Sequence, residues 1–156
     1  MKTKTISNLL IALVLALALL SVQQAQAALG GSADSIASDK KVLQAQRSSI
    51  KTSSKYTVHE MQSPANTVRE YVSPSGVVFG IAWNGMTNPD LTPLLGTYAA
   101  EHKKAMSHFK RQPGRRQARI KSENIVVEKW GHMRNMQGRA YAPALIPEGV
   151  RVDEIK

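Results

Sequence analysis

Four side-chain types in this chain could do chemistry: histidine, carboxylate, serine and clustered cations. The four histidines are His59, His102, His108 and His132. An imidazole can bind zinc or shuttle a proton near neutral pH, but metal ligands have to converge on one point. His102 and His108 lie six residues apart, about 600 degrees of helical rotation, so they belong to different faces. His59 alternates with Thr57 and Met61 in a strand pattern, and His132 falls in a turn. No H-E-x-x-H or comparable spacing occurs. His102 sits on an apolar stripe, where a hydrogen-bonded core histidine is commoner than a ligand. No metal ligand set and no cofactor are assigned.

Glu60 and Glu70 occupy neighbouring strand patterns and could approach each other as an acid–base pair. The ordinary alternative is that each faces Arg69 or a lysine across the sheet. Serines are numerous, but none stands in G-x-S-x-G or S-x-x-K, and Ser75-Gly76 reads as a turn. Cysteine is absent, which excludes a thiolate nucleophile, a Cys-ligated zinc, a disulfide framework and a lipid-modified cysteine. No catalytic residue is assigned. A small exported enzyme or enzyme accessory using His102, Glu60 or Glu70 stands as an alternative, and the balance leans against an enzyme.

The cations are unevenly placed. Residues 101–121, "EHKKAMSHFKRQPGRRQARIK", hold eight Lys or Arg against one Glu, whereas the whole chain carries a net charge of +10. Lys103, Lys104, Lys110, Arg111, Arg115, Arg116, Arg119 and Lys121 are therefore the candidate anion-binding residues. Arginine forks and net charge together suit phosphate or carboxylate groups. A basic run can also be no more than a solvated face.

The positioning elements begin after residue 27. Lys2 and Lys4, an apolar run over 9–20, and Ala25-Gln26-Ala27 have the layout of a cleaved secretory signal, with the cut after Ala27. The run is too short to cross a bilayer, so no transmembrane segment is expected once it is removed. Residues 28–54 show no sustained period and lack aromatics, which reads as a flexible N-terminal arm. "YTVHEMQ" and "NTVREYVS" then read as strands, and "SPSG" as a type I turn into "VVFGIAW". Alternation places Val77, Phe79, Ile81 and Trp83 on one face of that third strand.

In "IAWNGMTNPDLTPLLG", Asp90 is placed to cap a helix from Leu91, with Pro93 in its first turn. An apolar stripe through Leu94, Leu95, Tyr98, His102, Met106 and Phe109 carries that helix to residue 109, with Gly96 inside it. "NIVVEKW" and "GRAYAPA" read as a last strand pair, and 151–156 as a C-terminal tail. The expected fold is a single α+β domain over 55–150. It has a small antiparallel β-sheet of four or five strands and one amphipathic helix packed on one face. Trp83, Phe79, Ile81, Leu94, Leu95, Tyr98 and Phe109 should supply most of its core.

"YTVHEMQ", "TVREYVSPSGVVFGIAWNG", "PDLTPLLG" and "GRAYAPALIPEGV", with "ALGG" after the cleavage site, resemble the DUF2844 family of small exported proteobacterial proteins. The resemblance implies a periplasmic or secreted protein and carries no catalytic residues with it. The basic "RQPGRRQ" lies outside the pattern. The leading expectation is an exported, non-catalytic, envelope-associated binding module whose basic segment meets anionic envelope components or an acidic protein. An extracellular nucleic-acid-binding protein is a further alternative, weakened by export and by the lack of aromatic interleaving.

Overall fold

The computed structural model describes residues 28–33, 36–110, 114 and 116–156. The expected signal segment 1–27 and two of the candidate cations, Arg111 and Arg115, lie outside the described residues.

Alternating Tyr, Thr and Val build β2 (Thr57–Gln62) and β3 (Asn66–Val72), and the "SPSG" turn delivers β4 (Val78–Gly85). Gly76 closes that turn, its N–H donating to Ser73 O at 2.9 Å with φ at +82°. Two helices follow, α2 (Leu91–Leu95) and α3 (Ala99–His108), and then β5 (Ala118–Lys121), β6 (Val126–His132) and β7 (Asn135–Tyr141). Upstream lie α1 (Ile36–Val42) and β1 (Arg47–Thr52). One seven-stranded antiparallel sheet results, in the order β1-β2-β3-β4-β7-β6-β5.

Seven strands replace the four or five expected, because both edge strands escape pattern reading. β1 is "RSSIKT", with Ile50 64% exposed, and has no alternation to betray it. It is a strand because a turn returns it onto β2: the Ser53 N–H donates to Tyr56 O at 2.9 Å, and the Ser53 hydroxyl both accepts from and donates to the Tyr56 backbone. β5 is only four residues long and is defined by its pairing with β6. Both central faces of the sheet are covered. One packs under the helices through Leu29, Met61, Val68, Trp83, Leu94 and Val127. The other holds Tyr71, Phe79, Ala82, Val126, Tyr141 and Ile155.

Four corrections to the expected fold share this geometry. Residues 28–33 and 36–52 are not a free arm: Ala28 and Leu29 are buried, the Leu29 N–H donates to Leu94 O at 2.9 Å, and α1 and β1 follow. The expected single helix breaks at Gly96, whose φ is +51° and whose missing side chain leaves the space that Ala28 fills. The 151–156 tail is also packed. Ile155 is fully buried against Gly80, where an added Cβ would meet Ile155 Cδ1 at 2.9 Å. The Tyr71 hydroxyl also donates to Lys156 O at 2.7 Å.

Finally, a bulge reverses one face of β4. Tyr71 pairs with Gly80 and Val72 with Val78, which leaves Phe79 as the extra residue. Phe79 therefore packs with Tyr56 and Tyr71, at centroid distances of 6.1 and 6.2 Å, on the face opposite Ile81 and Trp83.

Candidate anion-binding groove

The opening motif does structural work. Asp90 Oδ1 accepts from the Thr92 N–H at 2.9 Å and caps α2, while Trp83 Nε1 donates to Asn88 Oδ1 at 3.0 Å. α3 buries only His102. Its last turn leaves the core, so Met106 is 44% and Phe109 37% exposed, and Phe109 is not the core residue its spacing suggested.

These two side chains form one wall of a groove. The rest comes from the start of β5 and from the β6–β7 hairpin, and the volume of this open groove is about 730 Å3. A second cavity of about 820 Å3 shares Arg116, Arg119, Lys129 and Trp130 with it. Of the candidate cations, Lys110, Arg116 and Arg119 come together on the groove. Lys103, Lys104 and Lys121 are exposed elsewhere and do not line it.

Strand alternation decides which charges are already spent. Arg119 pairs with Glu128 across the β5–β6 ladder, and Arg139 pairs with Glu128 from β7. Glu128 accepts from both guanidinium groups, from Arg119 at 3.2 Å. Arg139 also lies over Trp130, 5.7 Å from the ring centre. One residue on, Lys129 points to the opposite face, the one that carries Val127.

Lys129 is half-buried and, among the described residues, has no hydrogen-bond or ion-pair partner. Burial holds its ammonium below the ordinary lysine range, with no carboxylate to offset the cost. His102 is buried with Nδ1 unpartnered, and is held below the ordinary histidine range by burial and then by the Lys129 charge. The groove therefore has a half-buried cation and no Asp or Glu in its described lining, and the buried His102, outside that lining, lies close enough to feel the Lys129 charge.

The carboxylate pair read from sequence does not form. Glu60 lies opposite Arg69 and accepts from its Nε at 2.8 Å, whereas Glu70 is one position further along β3 and faces the other side of the sheet. There Glu70 is fully buried beside Asp39 of α1, which is itself 1% exposed. Among the described residues neither Glu70 oxygen nor Asp39 Oδ2 has a hydrogen-bond partner, so two neighbouring carboxyls are buried without a cation or donor to offset them. Burial first, and then its neighbour, pushes the Glu70 carboxyl up to about 9; burial raises Asp39 as well. The four histidines occupy separate places, and no group of three His, Asp or Glu able to hold a metal is found among the described residues.

Two signals could have exposed the residues that sequence reasoning passed over. In "NIVVEKWGH" Lys129 continues the phase of Ile125 and Val127, both buried, so a lysine occupies an apolar position. Ile36 and Asp39 are three apart on α1, which places an acid on the buried face.

Fold and groove together define a small α+β protein, a seven-stranded antiparallel sheet with helices on one face and a cationic, partly apolar groove at one end. The chain belongs to the family described as protein of unknown function DUF2844, whose family model matches residues 25–155. No curated protein and no solved structure matches it.

Proposed function

We propose that this protein is an exported, non-catalytic binding module that attaches to anionic components of the bacterial envelope through the groove and its cations. The observation that carries the reading is Lys129: a half-buried ammonium without an internal counter-charge, on a groove whose rim adds Lys110 and Arg116. A fold keeps an uncompensated charge at a cost in stability, and an external anion offsets that cost. Export rests on the N-terminal signal layout. The enzyme alternative loses its carboxylates, because Glu60 is ion-paired and Glu70 is sealed from solvent.

The test begins with cell fractionation and N-terminal sequencing, where a chain starting at Ala28 outside the cytoplasm is expected. The purified exported protein is then co-sedimented with anionic and with zwitterionic vesicles. Each exposed cation near an anionic surface contributes about 1 kcal/mol and is screened by salt. K110Q/R116Q should therefore lower partition onto anionic vesicles by about tenfold or more, and raised salt should do the same. Partition that is unchanged by both the substitutions and salt overturns the proposal.

A further inference from the structure

We infer that the groove is a binding site for a single-chain amphiphile with an anionic headgroup, the head held by Lys129, Lys110 and Arg116 and the chain lying along Met106, Phe109, Met133 and Met136. The inference rests on the envelope-binding reading and names the chemistry of its ligand.

Three observations favour this class. First, the lining is mixed in a way that neither a bare anion nor a neutral apolar molecule satisfies. A phosphate alone would leave Met106 and Phe109 facing water, and an uncharged chain would bury Lys129 without a counter-charge. Second, exposed large apolar side chains gather at one end of the sheet. Met106 and Phe109 close α3, and Met133, 87% exposed, tips the β6–β7 hairpin. Met86 follows directly on Gly85, which pairs with Met136. Methionine is flexible and polarisable, which suits a chain with no fixed shape.

Third, the available hydrogen-bonding groups are mostly donors. The nearest carboxylate along the chain, Glu128, is on the other face and occupied by two arginines, and Asn88 Oδ1 is taken by Trp83. A headgroup that only accepts fits this lining better than a peptide, whose N–H groups need acceptors. The volume of about 730 Å3 is that of a small-molecule site.

The experiment titrates the purified protein with dodecyl phosphate below its micelle concentration, by calorimetry. Inorganic phosphate, dodecyl maltoside and soluble poly-glutamate are titrated in parallel. Saturable one-to-one binding of dodecyl phosphate is expected, about tenfold or more tighter than the other three, because each lacks either the head or the chain. Lys129→Gln should weaken it by about tenfold. M106Q, at an exposed position that does not threaten folding, should weaken dodecyl phosphate without changing inorganic phosphate.

Dodecyl phosphate binding no tighter than inorganic phosphate, many molecules bound per chain, or poly-glutamate binding equally well overturns the amphiphile. If anionic vesicles still bind, the envelope reading survives it. Loss of vesicle binding with one-to-one dodecyl phosphate binding retained overturns the envelope reading and leaves the ligand class standing.

Discussion

Two ionisable sites lie on the same helix-covered face of the sheet and resolve their charge in different ways. Under α1, Asp39 and Glu70 are both buried, and burial raises both carboxyls, Glu70 to about 9, so that Glu70 keeps its proton at neutral pH and carries no charge. Under α3, Lys129 lies beside a neutral His102. No proton held between those two can cancel a positive charge. The first site is electrically finished when the chain folds. The second keeps its charge, with no carboxylate among the described residues to neutralise it. Burial alone therefore does not single out a candidate site; what separates these two is whether the fold contains the means of its own neutralisation.

The largest test of this contrast is the pH dependence of stability. Both carboxyls are raised in the folded state, so the folded chain keeps protons that the unfolded chain has released. Their stabilisation is fully present below the ordinary carboxylate values and is lost as pH rises, for Glu70 from 4.5 through about 9. One proton corresponds to about 1.4 kcal/mol per pH unit, so denaturant melts should show a loss of about 3 kcal/mol between pH 7 and 9. His59 and His102 are lowered and have the opposite sign, but they act below 6.5, outside this interval. Lys129 is lowered and also acts oppositely toward the alkaline end, equally in both proteins compared. E70Q cannot ionise, so its loss over the interval should be smaller by most of that amount. Equal slopes for the two proteins would mean that Glu70 does not hold a proton in the folded chain at neutral pH.

Gly138 separates the two sites in space. Trp83, Gly138, Lys129 and Ala118 stand in one row across β4, β7, β6 and β5. A Cβ at Gly138 would overlap the Trp83 indole and lie 2.6 Å from Glu128 O. G138A should cost about 1–3 kcal/mol by overpacking and disturb the floor next to Lys129. The Asp39–Glu70 pair belongs to α1 and β3, outside this row, so the difference between pH 7 and 9 should persist in the variant. A flattened pH profile would show that the two sites are coupled.

What sequence reading recovers here is what local pattern encodes. β2, β3 and the "SPSG" turn were legible because alternation and turn residues are contained within each stretch. The Asp90 cap was legible for the same reason. β1 and β5 were not, since "RSSIKT" and "ARIK" become strands by pairing with β2 and β6. Ala28-Leu29 is too short to announce that it packs where Gly96 breaks the helix. The bulge at Phe79 moves one aromatic across the sheet without changing composition. For the site, the concentration of cations was plain, but which of them are spent depended on strand facing. That facing ties Arg119 to Glu128 and leaves Lys129, never a candidate, without a partner among the described residues.

The smallest expected effect bears most directly on that residue. Lys129→Met keeps the length and apolar character of the lysine stem while removing the charge. If the ammonium serves only an external anion, its removal relieves a desolvation cost, and stability should rise by about 0.5–2 kcal/mol, read as a higher melting temperature at pH 7 and low salt. A residue that holds the fold together would show the reverse, because its loss would leave a gap or an unpaired neighbour. The ligand makes the second half of the comparison: a molecule that binds only the folded chain raises its melting temperature in proportion to RT ln(1 + [L]/Kd). Dodecyl phosphate should therefore raise the melting temperature of the native chain more than that of K129M, the difference approaching the about 1.4 kcal/mol of a tenfold weaker site, so that the two curves approach each other as the ligand is added. Parallel shifts in both proteins would place the headgroup away from Lys129 and return that lysine to the fold.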